Sequence, residues 1–111
     1  MSRKTTAIRK GMRPEHPGAI LKNTILPALH ITQLGLANRL GVSRRTISEI
    51  LRQRRPVTPD MATRFAKVFN TTAKFWLNLQ AAVDLWELDN TKSNTYARIV
   101  PLLLQAKRKA G

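Results

Sequence analysis

Residues 33–52, QLGLANRLGVSRRTISEILR, constrain the fold of this chain more tightly than any other feature of it. Ala37 offers a small side chain where two helices can cross closely, and Gly41 follows four residues later. A sharp turn between helices needs a positive φ, which glycine adopts at no steric cost. Six residues beyond the glycine, Ile47 must point back toward a core, and Ile50 follows three residues on. Leu36, Leu40 and Val42 supply the packing between the two helices. Thr32 and Ser43 are hydroxyl N-caps in front of each. Taken jointly, this is the spacing of a helix-turn-helix.

The remaining segments also read as helix and loop, with no alternating strand pattern. Pro17 suits the first position of a helix that Ile20, Leu21 and Ile25 mark with helical spacing, and Pro27 is expected to end or kink it. Thr58, Pro59 and Asp60 combine a capping hydroxyl, a pre-set φ and a carboxylate at the positive dipole end, opening a fourth helix. That helix buries Met61, Ala62, Phe65, Ala66 and Phe69. Thr71 or Thr72 opens a fifth, running to about Leu88. The expectation is one all-α, five-helix domain over residues 16–90, preceded by a basic flexible arm (1–15) and followed by a C-terminal extension with a basic tail (91–111), which includes Lys107, Arg108 and Lys109. A chain of 111 residues with 42% hydrophobic content has enough apolar surface for one such core.

Charge points to the partner. Lys and Arg number 20 against 6 Asp and Glu, a net +14, which repels itself unless a polyanion receives it. Arg39, Arg44, Arg45, Arg52, Arg54 and Arg55 meet only Glu49 across the patterned segment. Ile47, Ile50 and Leu51 define the buried side of the third helix, leaving Ser43, Arg44, Arg45, Thr46, Ser48 and Glu49 to face the bases of a major groove. Arg44 or Arg45 is expected to grip guanine in bidentate fashion, and Glu49 either accepts from a cytosine or pairs with Arg45 or Arg52. Gln33, Arg39, Arg52, Arg54 and Arg55 are placed for phosphates, which fix register without reading sequence.

Other function classes lack residues. There is no cysteine, which excludes disulfides, thiolate metal sites and a cysteine nucleophile. His16 and His30 are the only histidines, and neither has a carboxylate at metal-ligand or triad-like spacing. No catalytic residue, metal or cofactor is therefore expected. No stretch approaches the length of a membrane span, and the basic N-terminal stretch lacks the apolar run of a secretory signal, so a cytoplasmic location is expected.

The fifth helix carries two apolar stripes. Phe75, Trp76, Leu79, Ala82, Val83 and Trp86 suit the core, while Leu77, Ala81, Leu85 and Leu88 face elsewhere. The second stripe is the expected interface of a homodimer. The alternative is that the C-terminal segment covers it with Tyr96, Ile99, Val100, Leu103 and Leu104.

RPEHPG at residues 13–18, LANRLGVSRRTIS at 36–48 and RRPVTPDMATRFAKVFNTTAKFWLNLQAAVDLWEL at 54–88 together resemble the HigA-type antitoxins. These form a branch of the phage-repressor-like helix-turn-helix superfamily, and the resemblance spans roughly Arg13 to Asp89. It implies a DNA-binding homodimer that reads a palindromic operator, represses its own operon and neutralises a HigB or RelE-like RNA-cleaving toxin. It also implies a contribution of the fifth helix to the dimer. Ala19, where an acidic residue is frequent, and Gly35 inside the second helix depart from the pattern. A transcription factor without a toxin fits the same motifs. A third reading, from a different class, is a basic protein whose arm and tail bind an acidic partner or RNA, which would require the helix-turn-helix spacing to be incidental.

Overall fold

The computed structural model describes residues 12–103 of the chain; most of the expected basic arm, and Leu104 with the basic tail, lie outside them. The described residues form five helices and no strand. Helix α1 begins at Pro17–Ile20, widens into a π-turn over Leu21–Ile25 and resumes α geometry over Leu26–Leu29. Helices α2 (Gln33–Leu40), α3 (Arg44–Leu51), α4 (Pro59–Phe69) and α5 (Ala73–Ala97) follow.

Pro27 therefore does not end α1. A proline inside a helix removes one N–H and clashes with the carbonyl four residues back. The π-turn just before it opens the spiral, and the Leu26 N–H reaches the carbonyl of Leu21, five residues back. The helix then stops at His30 in the left-handed region (φ 53°).

The start of α1 explains the HPG sequence. His16 is the N-cap, and its Nδ1 accepts from the Gly18 N–H at 2.9 Å. Pro17 follows at the first helical position, where a missing N–H costs nothing. Gly18 is a close-approach glycine: a Cβ there would lie 1.8 Å from the Ile50 carbonyl oxygen of α3. The His16 ring is buried, and burial first, then the Arg13 charge, hold its pKa below the usual value, against a smaller opposing pull from Glu87 and Asp84. Protonation at Nδ1 would destroy the cap. Because the folded-state pKa is depressed, this contribution to stability is complete above about pH 6.5 and is lost as pH falls below it. Thermal melts between about pH 7 and 5 should show this loss, and His16→Asn, whose amide oxygen can also accept from Gly18, should flatten that part of the profile.

The core gathers Leu21, Leu36, Ala37, Leu40, Ile47, Ile50, Leu51, Met61, Ala62, Phe65 and Trp76, drawn from all five helices. Phe65, Phe69, Trp76 and Phe75 make a tilted and edge-on aromatic cluster, with Phe65 and Trp76 centroids 5.0 Å apart. Thr72 is the N-cap of α5, while Thr71 accepts from Trp76 Nε1 at 2.8 Å, so the paired threonines have separate tasks.

Helix α5 runs to Ala97 rather than to Leu88, with one non-helical residue at Lys92 (φ −126°, ψ 17°). The Asn90 amide and Thr91 hydroxyl donate back to the carbonyls of Trp86 and Glu87, both at 2.7 Å. Such side-chain bonds compete with the helical ladder and favour a bend. The boundary drawn at residue 90 thus falls inside a helix, and helical structure carries seven residues into the segment read as an extension.

Candidate nucleic-acid interface

Helices α2 and α3 meet across Gly41 (φ 72°), whose N–H bonds the Asn38 carbonyl while the Val42 N–H bonds that of Ala37 at 3.1 Å. These bonds satisfy the free carbonyls at the end of α2 and fix the turn. Arg64 of α4 adds a cationic cap to the same end, donating from Nη1 to the Leu40 carbonyl at 2.7 Å and from Nε to Asp60 at 2.8 Å. Nothing in the sequence reading singled out Arg64, although Asp60 four residues earlier is the signal that could have found half of its role.

Helix α3 is held by its inner face, with Ile47 and Ile50 fully buried and Leu51 nearly so. Ser43 caps its start, accepting from the Thr46 N–H at 3.0 Å and lying 2.9 Å from the Thr46 hydroxyl. On the outward side Ser43, Arg44 and Arg45 are exposed, and Thr46, Ser48 and Glu49 half-buried. The Arg45 side chain is 84% exposed. Of the six residues expected to face bases, three at the start of α3 are thus exposed and three along it are half-buried.

The end of α3 brings the loop cations alongside. Gln53 takes a left-handed φ of 63°, its N–H bonding Ile50 and that of Arg54 bonding Glu49. This paired closure usually falls to glycine. It turns the chain so that Arg52, Arg54 and Arg55 continue the exposed basic surface. Glu49 accepts from Arg45 Nε at 3.1 Å and from Arg55 Nε at 2.9 Å. Its carboxyl is held below the usual range by the Arg55 contact first and the Arg45 contact second. The ion pair thus forms with Arg45 and Arg55, and not with Arg52. Arg39, Arg44, Arg52 and Arg54 enter none of the ion pairs among the described residues.

Further polar residues lie beside this surface or behind it. Gln33 opens α2 half-buried, with its Oε1 enclosed and unpartnered among the described residues. Arg13, counted with the basic arm, bonds Glu87 of α5 at 3.1 Å. Gln80 was not foreseen: buried on α5, it accepts from the Val57 N–H and donates to Asp84, both at 2.9 Å, pinning the loop behind the basic surface.

The second stripe of α5 is divided. Leu77 packs against the protein's own core, whereas Ala81 is exposed, Leu85 is 67% exposed and Leu88 39%. Among the described residues the C-terminal segment does not cover them: Tyr96, Ile99, Val100 and Leu103 are themselves exposed, and Leu104 lies outside the described residues. No helix of the described residues is long and apolar enough to cross a membrane.

A capped helix pair set at a fixed turn, presenting an arginine-rich outer face, defines the class as a helix-turn-helix DNA-binding domain. Comparison with known proteins gives the family. A helix-turn-helix family model matches residues 21–76. The uncharacterized HTH-type transcriptional regulator YbaQ of Escherichia coli K12 is 49% identical over 78 residues, covering 70% of this chain and 69% of that one. Antitoxin HigA-1 of Vibrio cholerae is 34% identical over 98 residues, covering 88% and 92%. Among solved structures, the Pseudomonas aeruginosa antitoxin HigA with the higBA promoter superposes with a TM-score of 0.77 at 38% identity, covering 82% of this chain and all of that one. The chain belongs to the helix-turn-helix family of transcriptional regulators that includes the HigA antitoxins.

Proposed function

We propose that the chain works as a homodimeric operator-binding repressor that autoregulates its operon and serves as the antitoxin to a HigB or RelE-like toxin. The observation that carries the DNA half of this reading is α3: capped, anchored by Ile47, Ile50 and Leu51, and carrying Arg44 and Arg45 exposed on its outer face. Ser43, Arg44, Arg45, Thr46, Ser48 and Glu49 face the bases. Gln33, Arg39, Arg52, Arg54 and Arg55 hold phosphates. The relative solved with the higBA promoter supports this use of the fold. The exposed Ala81, Leu85 and Leu88 on α5 support a two-fold pairing that presents α3 twice to one duplex.

The toxin half rests on the relatives named antitoxin HigA. YbaQ, a relative named only as a transcriptional regulator, favours a second reading without a toxin. Co-expression with the product of an adjacent gene separates the two, since an antitoxin relieves that product's toxicity and a stand-alone regulator does not.

The DNA reading is tested by equilibrium binding to the upstream fragment at several salt concentrations. With about 6–8 phosphate contacts per dimer, log K should fall against log[salt] with a slope of about −5 to −7. A shallow slope with equal affinity for a scrambled duplex would reject it.

A further inference from the structure

Beyond the break at Lys92 the chain carries an apolar run that the rest of the described residues leave bare. Ile99, Val100, Leu102 and Leu103 are exposed, Leu102 at 92%. Scattered apolar side chains on a surface are ordinary, but a contiguous run marks a contact surface. A second bare apolar feature lies toward the opposite end of α5. There a groove of about 340 Å³ is lined by Ile25, Ala28, Leu29, Phe69, Phe75 and Trp76. Phe75 is 44% exposed in it and Leu29 57%.

The two cannot meet within one chain. Phe75 and Ala97 are about 33 Å apart along α5 at 1.5 Å per residue. Arg98–Leu103, fully extended, reaches only about 20 Å.

Between two copies they can meet. If the α5 helices pair antiparallel about a two-fold axis near Leu85, residues equally far on either side of Leu85 fall opposite one another. Up to the break at Lys92 that places Lys92 of one copy beside Asn78 of the other, less than one helical turn from Phe75, and the residues beyond the break have the length to reach the groove. Phe75 and Leu85 lie about 80° apart around the helix at 100° per residue, so the groove opens beside the pairing face. Pro101 lacks an N–H and holds its own φ in the extended range, which suits a strand-like arm in an apolar channel.

We propose that residues 99–103 of each copy dock in the Phe75 groove of the other, forming a reciprocal pair of apolar arms. The proposal rests on the homodimer reading given above, and its test separates the two. The absence of cysteine from the chain lets introduced thiols report single contacts. Full-length Leu102→Cys protein is mixed with full-length, differently tagged Ala28→Cys protein, dilute and under mild oxidation. A Leu29→Cys chain provides a second anchor in the groove, and a Lys67→Cys chain, away from it, measures random collision. Leu85→Cys alone reports pairing at the axis. The expected result is a Leu85 self-link together with mixed links from Leu102 to Ala28 or Leu29 well above the Lys67 level. A Leu85 link without mixed links to either groove position overturns the docking and leaves the dimer standing. Absence of the Leu85 link defeats the dimer reading, and the docking with it.

Discussion

Gly18→Ala is expected to cost about 3 kcal/mol or more, a large share of the stability of a domain this small. The added Cβ would stand 1.8 Å from the carbonyl oxygen of Ile50 and 2.8 Å from its carbon, distances at which backbone must move. Neither side can yield cheaply. Ile50 is fully buried on α3, and its carbonyl already accepts from the Gln53 N–H at 2.9 Å in the closure that turns the basic loop. Gly18 itself is tied to the His16 cap. Separating α1 from α3 would uncover Leu21, fully buried in the common core. Circular dichroism and urea melts of the variant should show a destabilised chain. Wild-type stability would show that the close approach of α1 and α3 is not what positions the recognition helix.

Arg44→Ala and Arg45→Ala should each weaken operator binding by about 1–3 kcal/mol, roughly 5- to 150-fold, and relax base preference at the positions they read. Both side chains are solvent-exposed, so the folded state should be unaffected. Arg45→Ala additionally frees one oxygen of Glu49, which keeps its contact with Arg55. Arg54→Ala should behave differently. As a phosphate contact it should weaken binding to all sequences alike and make the salt slope shallower. Titrations against the operator, single-base variants and scrambled duplex distinguish the two patterns. A loss confined to the operator for Arg54→Ala would overturn this division of roles.

How much of this was legible beforehand follows the range of the interactions. Local signals were plain. Thr32, Ser43 and Thr58 each accept from an N–H three residues on, as hydroxyl N-caps do, and Gly41 takes the positive φ its position required. The buried face of α3, Ile47, Ile50 and Leu51, follows from spacing alone. Contacts made across the fold were not legible. Gly18 matters because of a carbonyl on another helix, Arg64 because of the end of α2, and Gln80 because of the Val57 N–H. None of these leaves a periodic trace. Helix ends are the least legible. Pro27 allows either an end or a kink, and the helix instead carries on through a π-turn that has no residue signature; the apolar spacing that marks α5 to about Leu88 says nothing of the turns that follow to Ala97. The half-buried Leu77 shows the limit of stripe counting, since a residue midway between two faces can serve the core.

Hydroxyl-radical footprinting of the full-length chain on its own upstream region tests the central claim most directly. Two helices presented by a two-fold pair should protect two patches on one face of the duplex, centred about 34–36 Å apart and symmetric in sequence. Uniform protection along the fragment, or a footprint that survives scrambling of the sequence, would contradict it.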